Sequence, residues 1–325
     1  MTLSAFDCLR RGLANLRANW ELILLRWGGL LAVGVLVVAG VALPLIVLGV
    51  SLLGEGVLGL ARGGPDAWAR LGTRISELIP AVGLSFALAL VGTLFIWLFA
   101  GVLYCFLQAG IYGVLTAADR QALPGAERGR EWFRTFSLRH FFGWGGRYMW
   151  RFFGFVNLFL AVWIGVALAF VLWAFLTFGG ARRWGQGAAW GIGCGGLLPL
   201  IFLAFVVSFW ALVAQADLAR EASGVWTAAA NGLRILGRRF GAVLLLFLLF
   251  FGFALALALV GFVVGLVLGF SVSQAPMGIA VSLRLALWLL QSLASSALAL
   301  ALASSVVALV QSELPRGAPP EGAAA

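Results

Sequence analysis

A chain of 325 residues that is 63% apolar, only 10% charged and has a mean hydropathy of +1.06 lacks the polar surface of a water-soluble domain, because such domains run near half apolar and a quarter charged. The net charge of +10 is carried by arginine alone, with no lysine, a bias that reads as a GC-rich bacterial genome. Three dispersed cysteines (Cys8, Cys105, Cys194) exclude a disulfide framework and show no metal spacing, and no cofactor motif is present.

The first predicted element is a short amphipathic helix. Phe6, Leu9, Leu13, Leu16 and Trp20 recur at helical spacing, with Arg10 and Arg17 expected on the opposite face. Its charged stretch, Asp7 to Arg17, predicts no cleaved signal peptide. An apolar run near 24–53 follows, long enough to cross a bilayer, with a kink expected at Pro44. The loop 54–80 balances three arginines against Glu55, Asp66 and Glu77. It predicts a short helix starting near Pro65, with Trp68, Leu71, Ile75 and Leu78 on its membrane side.

A second span is expected near 81–107. Tyr104, Gln108, Tyr112 and Thr116 form one ridge of it, and polar groups there must face protein or a wet cavity. Residues 131–153, "EWFRTFSLRHFFGWGGRYMWRFF", mix arginines and rings and predict a second interfacial elbow through Phe141, Trp144 and Tyr148. The lone His140 lies in this strip without a second ligand or an orienting partner, which argues against catalysis.

Spans three and four are expected near 153–178 and 190–214. The start of the fourth, "GIGCGGLLP", is a candidate broken helix. Asp217, Arg220 and Glu221 follow, as an exposed cluster positioned to pair with the next arginines. The spacing of the first helix returns at Trp226, Ala229, Leu233, Leu236 and Phe240, with Arg234 and Arg238 opposite. "GLANLRANWELILL" (12–25) superposes on "GLRILGRRFGAVLL" (232–245), so the elbow is an internal repeat. Spans five and six are expected near 241–270 and 283–311. Gly261, Gly265 and Gly269 predict close packing against Ser292, Ser296, Ala299 and Ala303.

The expected fold is therefore an all-α membrane protein: six transmembrane helices as three hairpins, each preceded by a cytoplasmic amphipathic elbow. It forms a single domain over 1–312, with elbow–hairpin units near 1–115, 116–215 and 216–312, and 313–325 reads as a disordered tail. Sixteen arginines fall on the side of the N-terminus and six on the other. That bias predicts a bacterial inner-membrane protein with both termini cytoplasmic.

The segment "LVAQADLAREASGVWTAAANGLRILGRRFGAVLLLFLL", together with the N-terminal elbow, resembles the signature of YciC-like integral membrane proteins. The same domain forms the membrane part of some glycerophosphoryl diester phosphodiesterases. The resemblance implies an acidic helix end at Glu221, a small residue at Ala228 or Ala229, and elbow positions at Leu233 and Arg238. Asn231 or Gly232 stands where serine is usual. The phosphodiesterase catalytic domain is absent, and its paired histidines cannot come from a chain with one histidine.

The central portions of the spans lack Asp, Glu, Arg and His, which argues against an ion-coupled transporter or an intramembrane hydrolase. The expected activity is non-enzymatic: Arg10, Arg17, Arg139, Arg147, Arg151, Arg234, Arg238 and Arg239 engage anionic headgroups, for membrane organisation, lipid handling or support of a membrane-protein partner. Nucleic acid is excluded as a partner because no nucleic-acid fold accompanies the arginines. The alternative is a permease or lipid transporter with a cavity near the second and fourth spans, lined by Tyr104, Gln108 and Tyr112.

Overall fold

The computed structural model describes residues 3–53, 66–122, 130–220, 224–271 and 277–313. Among them the chain is helical, without strands: α1 (Ala5–Ala18), α2 (Glu21–Leu53), α3 (Asp66–Gln121), a 3-10 turn (Arg130–Phe133), α4 (Leu138–Trp184), α5 (Gln186–Leu218), α6 (Val225–Arg238), α7 (Phe240–Ser271) and α8 (Met277–Glu313). The six helices other than α1 and α6 are long and apolar enough to cross a membrane, the architecture of a multi-pass membrane protein.

Local chemistry sets the ends of the short helices. Ser4 accepts from the Asp7 N–H while Asp7 accepts from the Ser4 N–H, a reciprocal cap that starts α1. α1 stops at Asn19 (φ −116°, ψ 45°) and α6 at Arg239 (φ −122°, ψ 26°). These two residues coincide when the repeats are superposed. At each, the side chain is held by a distant part of the chain, which fixes the bend into the following long helix.

α4 starts at Ser137, whose hydroxyl accepts from the His140 N–H. It then runs unbroken for 47 residues. The expected middle elbow is therefore the beginning of a long helix, which continues through Gly143, Gly145 and Gly146. The helix expected near Pro65 also begins where expected, at Asp66, but continues without a break into the second span. Pro44 and Pro199 both lie inside continuous helices.

α4 and α5 are joined by Gly185 alone, at φ 86° and ψ 167°. That is backbone open essentially only to glycine. The "GIGCGG" segment is an unbroken part of α5. Its glycines make a notch: a Cβ at Gly196 would lie 2.5 Å from the Trp173 ring of α4. The expected break is thus a site of close packing.

The chain divides into two compact units, Gly28–Tyr104 and Met1–Trp27 with Cys105–Ala325, so the boundary falls inside the first hairpin. In the first-named unit α2 and α3 are zipped together. Thr93 Oγ1 lies 2.9 Å from the carbonyl oxygens of both Gly40 and Ala89, and a Cβ at Gly40 would strike Trp97.

In the larger unit, each short helix or helix start sits on the last helix of the preceding hairpin. α6 rests on α5 through Gly232 against Ala214. The start of α4 rests on α3, with Phe141 and Trp144 filling notches at Gly110 and Gly113. α1 rests on α8 through Gly12 against Ser305. The three contacts therefore run in cyclic order, the N-terminal helix closing onto the last.

Candidate functional site

The two short helices build their sites from two faces each. In α1, Phe6, Arg10, Leu13 and Arg17 are exposed, as is Trp20 just beyond its end, and Phe6 is 61% accessible. The spacing of 4, 3 and 4 puts the first four on one side of the helix. In α6, Trp226 (75% accessible), Leu233, Arg234 and Arg238 are exposed. The arginines thus flank the exposed rings and leucines, which corrects the expectation of an opposite arginine face.

The inward face of α1 is polar. Arg11, Asn15 and Asn19, four residues apart, line one buried stripe with Cys8 and Gly12. Arg11 Nε donates to Asp119 Oδ1 at 2.6 Å, and its Nη2 donates to the carbonyls of Asp119 and Ala122 at 2.8 and 3.0 Å. One guanidinium therefore satisfies both a buried carboxylate and the terminal carbonyls of α3, at the helix end that favours positive charge. Phe133 covers the guanidinium at 5.4 Å.

Asn15 Nδ2 donates to the Leu115 carbonyl at 3.0 Å. Asn19 acts as a piece of backbone for residues 133–136. Its Oδ1 accepts from Thr135 and Phe136 N–H, and its Nδ2 donates to the Phe133 carbonyl at 2.7 Å. Arg134 closes the latch on the Ala18 carbonyl and Glu21. Packed inside this network, the Cys8 thiol is pushed up to about 12, first by burial and then by the charges of Asp119 and Asp7.

An acidic residue closes the second helix of every hairpin at this end: Asp119 of α3, Asp217 of α5 and Glu313 of α8. Asp217 is fully buried. It accepts from Asn231 of α6 at 2.9 Å and pairs with Arg220 at 3.3 Å. Asp217, expected in an exposed cluster that pairs with the elbow arginines, is thus buried and linked to α6 through the half-buried amide of Asn231. Glu313 Oε1 lies 2.6 Å from both Nε and Nη2 of Arg239. Arg239, expected at the headgroups, is half-buried and held in this pair. Glu221 lies outside the described residues.

The arginine-and-ring strip of α4 also turns inward. Phe141, Tyr148 and Phe152 are buried, the last against Tyr112, while Phe142 and Trp150 carry the exposure. Arg139 and Arg147 are exposed and Arg151 is half-buried, with Arg147 and Arg151 over the Tyr148 ring at 5.6 and 5.0 Å. His140 is exposed beside the Thr135 carbonyl.

On the ridge of α3, Gln108, Tyr112 and Thr116 are buried and Tyr104 is half-buried. In α7, Gly261 meets Gln291 of α8, and Gly265 lies nearest Leu287. The facing side of α8 is therefore rotated from the expected Ser292 face; Ser292 accepts instead from the Trp27 indole. The side chains near Gly269, and the tail after Glu313, lie outside the described residues.

The network around Arg11 escaped the sequence reading, which counted Arg11 only as one more basic residue. Its signal was present: Arg11, Asn15 and Asn19 at i, i+4 and i+8, and the parallel helix ends "AAD" (117–119), "QAD" (215–217) and "QSE" (311–313). No family model, curated protein or solved structure matches the chain.

Proposed function

We propose that this protein is a non-enzymatic bacterial inner-membrane protein whose short helices lie in the cytoplasmic interface and engage anionic lipid headgroups, in membrane organisation, lipid handling or support of a partner. One observation carries the reading. α1 and α6, repeats 220 residues apart, each expose rings and leucines flanked by arginines while burying the side that grips the bundle. In water an exposed Phe6–Leu13–Trp20 stripe would be a liability; at a membrane interface, rings sink toward the acyl chains and guanidinium groups reach phosphates. The arginine bias along the chain supports cytoplasmic termini, and the pattern of the third elbow supports kinship with YciC-like membrane proteins.

Of the arginines expected to act, Arg10, Arg17, Arg139, Arg147, Arg234 and Arg238 fit the role by exposure. Each basic residue near an anionic surface contributes about 1 kcal/mol. Full-length protein with Arg10, Arg17, Arg234 and Arg238 changed to Gln should retain fewer anionic lipids through detergent extraction, counted by native mass spectrometry. An unchanged count would refute the headgroup reading.

A further inference from the structure

A cavity of about 290 Å³ separates the middles of α7 and α8. Phe247, Phe250, Phe251 and Leu298 are among its apolar walls, and facing alanines leave the room. Only two lining side chains are polar, Gln291 and Ser295, one turn apart on α8. Neither is charged, nor is any other lining residue. The Gln291 amide is positioned by the notch at Gly261, where a Cβ would lie 2.8 Å from Nε2.

Depth sets the chemistry. The cavity lining on α8 extends from Gln291 to Leu302, and Glu313 ends the helix. At about 1.5 Å per residue, these positions lie roughly 33 Å and 16 Å from that end. The helix has 37 residues and is about 55 Å long, so a hydrocarbon core about 30 Å thick and centred on it covers roughly 13 to 43 Å from that end, and both positions fall at acyl-chain depth. An amide facing pure hydrocarbon is unfavourable unless something hydrogen-bonds to it. Among the described residues neither Gln291 nor Ser295 forms a hydrogen bond.

We propose that this cavity binds a neutral membrane lipid, an apolar chain bearing an uncharged carbonyl or hydroxyl oxygen. Gln291 donates to that oxygen, Ser295 supplies a second contact, and the phenylalanines enclose the chain. A charged solute would find no countercharge in these walls, and a plain alkyl chain would leave the amide unsatisfied. A mostly apolar lining with a few polar groups is the usual make-up of a small-molecule site, and the volume is just under the roughly 300 Å³ at which such sites begin.

A neighbouring cavity of about 180 Å³ between α5 and α7 shares Phe247 and Phe251 but has no polar side chain in its lining, and serves as the internal comparison. The inference is independent of the headgroup reading, because no arginine lines either cavity.

The test uses the full chain in nanodiscs with two photoreactive probes, a long-chain alcohol with a diazirine in its tail and the matching alkane. The alcohol should label peptides containing Phe250 and Leu298 more strongly than the alkane does, by about threefold to tenfold, the range of one neutral hydrogen bond. Gln291→Leu keeps the volume and should reduce alcohol labelling to the alkane level. Ala258→Phe should fill the cavity and abolish labelling there while sparing the cavity between α5 and α7. Equal labelling by alcohol and alkane in the unmodified protein, or a Gln291→Leu variant that still prefers the alcohol, would overturn the proposal.

Discussion

α1 and α6 are the same helix outside and different helices inside. Superposed at an offset of 220, Phe6 falls on Trp226, Leu13 on Leu233 and Trp20 on Phe240, all exposed, while Gly12 falls on Gly232 at the tightest contact. Inward, α1 presents Arg11, Asn15 and Asn19 to the end of α3 and the loop beyond it. α6 presents Ala228, Ala229, Ile235 and Leu236, with Asn231 at the edge reaching Asp217. The outward face answers to the solvent both helices share. The inward face answers to what each must hold: α6 is already tethered by sequence to α5, whereas α1 must recognise elements more than a hundred residues away.

The largest effect should come from breaking the ionic grip of α1. Arg11 and Asp119 are each less than a tenth exposed. Removing one partner leaves a buried charge uncompensated, at a cost of about 3–5 kcal/mol. Cys8 reports the outcome: buried in the docked helix and with its thiol pushed up to about 12, it should resist alkylation at pH 8. In a background lacking Cys105 and Cys194, Arg11→Ala or Asp119→Ala should make it reactive. Arg11→Met with Asp119→Leu should restore much of the protection. Asn231→Ala, the counterpart in α6, leaves Asp217 its Arg220 pair and should cost about 1–3 kcal/mol. Equal losses would show that the two inward faces do the same job.

A smaller difference is expected at the paired glycines. A Cβ at Gly12 would lie 2.5 Å from the Ser305 backbone nitrogen, and one at Gly232 would lie 2.9 Å from the Ala214 Cβ and 3.0 Å from its nitrogen. Overpacking of this kind costs about 1–3 kcal/mol. Gly12→Ala should lie near the upper end and lower the unfolding midpoint more than Gly232→Ala. The reverse order would mean that α8 yields more readily than α5.

How far the sequence carried this comparison depends on which face is considered. The outward stripe was legible only in part: Phe6, Leu13 and Trp20 are exposed, as are Trp226, Leu233 and Phe240, but Leu16, Ala229 and Leu236, expected on the same stripe, turn inward. The six long helices were legible because bilayer thickness sets their length. The inward grip was not, since pairing Arg11 with Asp119 requires knowing that residues 108 apart meet. The strip from 131 to 153 misled for a related reason. Rings and arginines at helical spacing suit a membrane interface, but they also fit the glycine notches of α3, and periodicity does not name the surface that receives a ring. Gly110 and Gly113, three apart beside Tyr112, were the available hint. The arginines were placed on the wrong side of α1 by a simpler error: Arg10 and Arg17 lie four residues after Phe6 and Leu13, which on a helix is the same side, not the opposite one.

The smallest effect distinguishes the helix starts. α1 begins with the reciprocal Ser4–Asp7 cap, whereas α6 begins at Gly224 with no side-chain cap. Ser4→Ala should cost about 1 kcal/mol at the N-terminus of α1, and Gly224→Ala less at α6, read as faster amide exchange in the first turn. The α1 cap should also depend on pH. The Ser4 hydroxyl and the Ser4 backbone N–H hold the Asp7 carboxyl below its ordinary value of 3.8. A carboxyl depressed in the folded state binds its proton more readily when released. The cap's contribution is therefore complete above the ordinary carboxylate range and is lost as pH falls through the lowered value. Exchange protection of the first turn of α1 should drop in that acidic window, while that of α6, which has no titrating cap, should not drop in step. Asp7→Asn should abolish the pH dependence and leave a weaker but constant cap. If both helices lose protection together in Asp7→Asn, the acid response belongs to the buried carboxylates at the helix ends, and the cap is not what separates the two repeats.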